Sequence, residues 1–180
     1  MSKVIDNFPY LPQYDNAINP SGACNVTSVA MCLKYGGIRG DGSMPQLEDQ
    51  LYKMCQRYGY SRHDPYGLAA LVNDKFGKHG FVDEFTPNGT LDAIKEAIDQ
   101  GIPCVIHGYF TRFGHIVVIK GYDSAGFIVN DPWGEYFPSG YDLTVSGEDL
   151  HYSYGLISRI CSPESPSDPR HIWLHKIYRK

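Results

Sequence analysis

Five cysteines and seven histidines are the most reactive side chains in this 180-residue sequence. A cysteine nucleophile works as its thiolate, so its pKa must fall from about 8.5; a helix N-terminus and a nearby imidazolium both lower it. Cys24 stands where the pattern predicts a helix start. The flexible stretch Asn19-Pro20-Ser21-Gly22-Ala23 precedes it, and Val26, Val29, Ala30 and Leu33 after it share one helical face. Its sulfur would meet unpaired backbone N–H groups and the positive end of the helix dipole. Cys32 lies two turns further on, Cys55 is mid-helix, and Cys104 and Cys161 belong to apolar runs. Position alone separates Cys24 from the other four.

A base and a group to orient it must come from elsewhere in the chain. His115 opens the run Gly114-His115-Ile116-Val117-Val118-Ile119, sharing a strand face with Val117 and Ile119; the glycine before it permits close approach of another backbone. His107 on the preceding strand is the alternative, and a core histidine with a backbone partner is the lesser reading of His115. Asp131 ends a strand before Pro132-Trp133-Gly134, where a carboxylate can reach a histidine on the neighbouring strand and fix its tautomer. An aspartate opening a turn before proline explains the same residue more simply. His171 and His175 are four apart and would suit a metal only with a third ligand, which is not evident.

The elements expected to position these groups fall into two halves. Helices are predicted from Cys24 to Gly36-Gly37, over 44–58 with Pro45 in the first turn, over Pro65–Phe76, and over 90–98 with Thr90 as cap and Gly101 as stop. Strands are predicted over Ile102–Phe110, Gly114–Tyr122 and Gly126–Asp131, with a hairpin turn at Asp123–Gly126. Leu156–Cys161 and His171–Tyr178 are expected to add strands, the last closing the sheet, and 162–169 reads as a Pro-rich loop. The segment Glu135–Tyr154 reads as a loop at a cleft edge. Helices first and an antiparallel sheet second define an α+β arrangement, with residues 1–180 as one domain.

Composition excludes several classes. The 16 basic residues are scattered and the net charge is −4, so no nucleic-acid footprint is present. The apolar runs are too short to span a bilayer, and the N-terminus lacks a secretory signal. The protein is therefore expected in the cytosol where it is made, or released by lysis or a dedicated route. Five widely spaced cysteines without a Cys-x-x-Cys argue against a zinc site or a disulfide framework. The 14 tyrosines suit half-buried surfaces or the lining of a cleft.

Four segments together resemble the C39-like family of papain-fold cysteine peptidases: Gln13-Tyr14-Asp15-Asn16, Cys24 to Met31, Gly114 to Asp123, and Asn130 to Gly134. Each is a weak motif alone; four in matching order from Gln13 to Gly134 are specific. The resemblance implies a papain-like fold with N-terminal helices packed on a C-terminal antiparallel sheet. It implies a thiolate from Cys24, a base at His115 and an orienting Asp131, with Gln13 stabilising the oxyanion. Gln13 lies eleven positions before Cys24, a longer gap than bacteriocin-processing members show, so Asn16 and Asn19 compete for that role. Those members sit on transporters and cleave after paired glycines, and that substrate is not carried over.

The expected activity is hydrolysis of an amide bond through an acyl-enzyme, with no metal or organic cofactor required. The expected substrate is a peptide or the peptide part of bacterial cell wall, as for a lysin. The same groups would also serve acyl transfer to an amine or thiol. An inactive peptide- or glycan-binding module is the non-enzymatic alternative.

Overall fold

A computed structural model describes residues 1–161 and 171–180; the expected loop at 162–169 lies outside them. Five α-helices are present among the described residues: α1 (Cys24–Tyr35), α2 (Leu47–Tyr58), α3 (Pro65–Phe76), α4 (Leu91–Asp99) and α5 (Tyr154–Ile160). The first four fall where the sequence predicts them, and their ends follow capping chemistry. Asp64 accepts the Tyr66 N–H and Thr90 accepts the Ala93 N–H, each satisfying a donor of the first turn. Gly59 and Gly101 end or follow their helices at φ 77° and 76°, a region glycine enters without penalty. Pro45 precedes α2 rather than occupying its first turn, because Gln46 is the cap residue.

Helix α1 is buried on nearly every side from Asn25 to Leu33, more than its apolar stripe demands. Such a helix must satisfy its polar residues internally. Ser28 donates to the Ile116 carbonyl, and Thr27 accepts from the Asn16 amide at 3.0 Å. Both bonds tie the helix to neighbouring segments.

The described residues hold nine strands: β1 (Lys3–Val4), β2 (Phe81–Gly89), β3 (Cys104–Gly108), β4 (His115–Tyr122), β5 (Gly126–Asn130), β6 (Glu135–Phe137), β7 (Gly140–Asp142), β8 (Leu150–Ser153) and β9 (Ile172–Arg179). Seven form one antiparallel sheet in the order β2-β9-β3-β4-β5-β8, with β1 paired to β4; β6 and β7 make a separate hairpin. The last strand does not close the sheet's rim but lies between β2 and β3.

Three expectations are corrected. Leu156–Cys161 is helical: Ser153 caps α5 by accepting the Leu156 N–H, and Ile157 and Ile160 turn inward. A short apolar run has no decisive period, so capping decides. Strand β2 was not expected, because Pro87, Asn88 and two acids interrupt its apolar pattern; it is an edge strand, where such residues are tolerated. The presumed loop Glu135–Tyr154 holds β6, β7 and β8. Helices and strands are consequently not segregated in order, since β2 precedes α4 and α5 follows β8.

Helices cover both faces of the sheet. His107 pairs with Ile116 and Gly108 with His115, and successive residues alternate sides. A Cβ on Gly108 would stand 2.6 Å from Cys161 Sγ and 3.1 Å from the Ile160 carbonyl, so α5 lies on that side. Asn130, paired with Val118, points its amide at Met31 of α1 on the other. The core is one continuous apolar cluster that includes Val26, Leu68, Ile94, Ile106 and Val117.

Candidate active site

Cys24 is the first residue of α1, reached through a 3-10 turn at Pro20–Gly22. It alone among the five thiols is half-buried; Cys32, Cys55, Cys104 and Cys161 are fully buried. Burial pushes Cys55 up to about 11 and Cys104 up to about 12, and raises Cys32 and Cys161 as well. Those four stay as inert thiols. The turn before Cys24 is held by Arg62, which donates to the Gly22 carbonyl at 2.9 Å and to Asn25 Oδ1 at 3.3 Å while stacking on Tyr52.

His115 begins β4 directly after Gly114, whose φ of 87° turns the chain out of the preceding loop. Thr111 fastens that loop by donating to the Gly114 carbonyl at 2.8 Å. The imidazole is buried and donates from Nε2 to Asp131 Oδ1 at 2.7 Å, and Cys24 is its neighbour in the cleft. Burial alone would lower its pKa. The Asp131 charge, then the Cys24 charge and the hydrogen bond to Asp131, outweigh burial and hold it up at about 10. An imidazolium beside a sulfur is thereby the favoured state at neutral pH.

Asp131 follows β5 and is wholly buried, yet every lone-pair direction has a donor nearby. Oδ1 accepts from His115 and from the Trp133 N–H at 3.0 Å; Oδ2 accepts from Tyr141 at 2.8 Å and Tyr152 at 2.7 Å. Desolvation, then the adjacent carboxylate, drives both phenols far above their ordinary range, so they remain donors. The backbone of Asp131 is fixed as firmly. Its carbonyl accepts from Tyr10, its N–H donates to the Gly147 carbonyl, and the Gly147 N–H donates to Tyr10 Oη. A Cβ on Gly147 would fall 1.8 Å from the Asp131 carbonyl oxygen, so only glycine fits.

Gln13 joins the segments on either side of this line. Its N–H donates to the Pro132 carbonyl at 2.8 Å, and its side-chain nitrogen donates to the Pro20 carbonyl at 3.0 Å, leaving a second N–H on that nitrogen. Its buried Oε1 has no hydrogen-bond partner. The other two amides are engaged locally: Asn16 donates to Thr27, and Asn19, at φ 48°, donates to Tyr52 Oη at 3.2 Å.

The structure therefore brings Cys24, His115 and Asp131 together, with Gln13 bridging Pro20 and Pro132. His107 lines the same cleft but bonds His175, and His171 and His175 diverge, toward Asn88 and Asp83 respectively. Tyr10, Tyr141, Tyr152 and Gly147 are contributors the sequence did not reveal. The high tyrosine count was the only signal, and it carried no position.

The cleft at Cys24 and His115 is also lined by Arg62, His63, Trp173, and Tyr109 and Phe113 of the β3–β4 loop. Such an arrangement can form a thiolate–imidazolium pair, orient the imidazole from behind, and seat a chain across the sulfur.

The family model described as the Peptidase_C39 like family matches residues 5–160. The chain belongs to that family, and it is a cysteine peptidase. Among solved structures, a protein described as a C39-like peptidase from Bacillus anthracis superposes with a TM-score of 0.64 at 15% identity, covering 100% of this chain and 99% of the other. The peptidase domain of Streptococcus ComA, a bifunctional ABC transporter, gives 0.56 at 14% identity over 96% and 99%. A double glycine motif protease from an AMS/PCAT transporter, solved with its leader peptide, gives 0.57 at 18% identity over 100% and 99%. The search of curated proteins returns no match. No helix among the described residues is long and apolar enough to cross a membrane.

Proposed function

We propose that this papain-like peptidase cleaves a peptide bond through a Cys24 acyl-enzyme, with residues 1–180 forming the one catalytic domain. The Cys24 thiolate attacks the scissile carbonyl, and the carbonyl electrons move to oxygen. The His115 imidazolium then gives its proton to the departing amine as the C–N bond breaks. Water, losing a proton to His115, attacks the thioester and releases the acid and the thiolate. Asp131 holds the imidazole in the orientation that both transfers need. The free N–H of the Gln13 amide is the side-chain donor assigned to the oxyanion; one such donor contributes about 3–4 kcal/mol in comparable sites.

The observation that carries this reading is His115 set between Cys24, at a helix start, and the buried Asp131 carboxylate that accepts its Nε2–H, in an open cleft. Phe113 is 93% exposed and Tyr109 53% exposed on the cleft rim, and large exposed rings beside a nucleophile suit an extended peptide. A leader peptide bound to the double glycine motif protease supports the same substrate class. The narrower substrate we propose is the peptide part of bacterial cell wall. Turbidity of purified cell walls is expected to fall with the wild-type chain and to stay constant with Cys24→Ala. Equal curves for the two proteins would remove the cell-wall substrate, and peptide-library cleavage that survives Cys24→Ala would remove the thiol mechanism.

A further inference from the structure

A second chain of polar side chains reaches the same cleft and takes no part in the steps above. Asp83 of β2 and His175 of β9 are buried, and His107 of β3 lines the cleft with Cys24 and Trp173. His175 Nδ1 lies 2.9 and 3.1 Å from the two Asp83 oxygens, and its Nε2 lies 2.9 Å from His107 Nε2. The strand register enforces this line. His175 pairs with Phe85 on one side and Val105 on the other, so Asp83, His175 and His107, offset by two residues, emerge on one face. Phe85 packs 4.7 Å from the His175 ring and Trp173 packs 5.6 Å from the His107 ring, fixing both imidazoles.

A buried carboxylate and imidazole are expensive, and apolar residues of the same volume would usually fill such space at no loss of stability. The polar line is therefore explained by what it presents at its open end. Each contact along it holds one proton. Asp83 accepts the Nδ1–H of His175, and the tautomer that carries this one proton turns the lone pair of Nε2 toward His107. His107 must supply the next proton from its own Nε2, which leaves its Nδ1 as an acceptor. Burial, and then the neighbouring His175, hold His107 down to about 3, so it is neutral at neutral pH. Among the described residues its side chain hydrogen-bonds His175.

We propose that His107 is a substrate-positioning residue whose Nδ1, fixed as an acceptor by His175 and Asp83, takes a backbone N–H of the peptide lying in the cleft. This rests on the peptide reading of the Cys24 site and deepens it: the substrate is favoured by a secondary amide near the scissile bond, and proline or an N-methylated residue at that position is disfavoured by the weight of one hydrogen bond.

The test follows alkylation of Cys24 by a panel of dipeptidyl chloromethyl ketones, by their backbone N-methylated analogues and by iodoacetamide. For the fastest dipeptidyl reagent, the ratio of its rate to the iodoacetamide rate is expected to fall about 5- to 10-fold in His107→Phe, the weight of one hydrogen bond. N-methylation at one amide is expected to cost the wild type the same factor and the variant nothing further, since both changes remove one bond. His107→Asn, which can place an amide oxygen near the Nδ1 position, is expected to restore part of the ratio. An unchanged ratio in His107→Phe, equal N-methylation costs in both proteins, or no dipeptidyl reagent faster than iodoacetamide would each overturn the inference. Imidazole nitrogen NMR of the wild type gives a reading free of any folding defect: an unprotonated His107 Nδ1 is expected, and a protonated one contradicts it. Iodoacetamide failing to label Cys24 in the wild type would instead overturn the nucleophile assignment beneath it.

Discussion

Asp131 keeps a negative charge in the interior by accepting four hydrogen bonds, two of them from Tyr141 and Tyr152. Removing one phenol leaves that charge undersolvated, so Tyr141→Phe or Tyr152→Phe is expected to lower stability by about 1.5–3 kcal/mol in urea unfolding. The pH dependence follows from His115. Its folded pKa, about 10, stands above its ordinary 6.5. The stability this contributes is fully present below pH 6.5 and is lost as pH rises through about 10. Activity that needs the imidazolium should fall along the same alkaline limb. Asp131→Asn removes the principal upward influence, and the limb is expected to move down by about 1–3 pH units in an activity profile. A limb that stays in place in that variant would mean that Asp131 does not govern the imidazole.

The helices show which parts of the architecture the sequence makes legible. Helices α2 to α4 carry their own punctuation in Asp64, Thr90, Gly59 and Gly101, and α1 ends at Gly36, so local chemistry located them. Thr90→Ala is expected to cost about 1 kcal/mol by thermal unfolding, since it orphans the Ala93 N–H. Strands β6 and β7 were not legible because three residues each are too few to show a period, and β2 and β8 because their partners lie far along the chain. Phe81 pairs with Arg179, and Phe127 pairs with Tyr152. The candidate site divides in the same way. Cys24 was separable by its place at a helix start, while His115 and Asp131 needed the four-segment resemblance to choose them over His107 and an ordinary turn. Tyr141, Tyr152 and Gly147 depend on tertiary approach and left no local signature. Gly147→Ala is expected to be strongly destabilising, by about 1–3 kcal/mol or more, because backbone rather than a flexible side chain would have to move.

Across the molecule, the sheet and α1 are two packed bodies that meet at the cleft. The sheet supplies His115 at one strand start and Asp131 at the neighbouring strand end; the helix supplies Cys24. Neither body contains a complete set of reactive groups, so the site exists only when helix and sheet are docked. Ser28 of α1 bonding the Ile116 carbonyl, and Gln13 spanning Pro20 and Pro132, hold that docking next to His115 and Asp131 and about one helical turn from Cys24. The other four thiols stay enclosed in the core that both bodies share.

The most direct test of a Cys24 thiolate paired with His115 is alkylation by iodoacetamide across pH, with the modified residue located by mass spectrometry. The account predicts that Cys24 is labelled near neutral pH well before Cys32, Cys55, Cys104 and Cys161, and that His115→Ala slows its labelling there. Labelling of Cys24 no faster than the buried thiols, or unaffected by loss of His115, would contradict it.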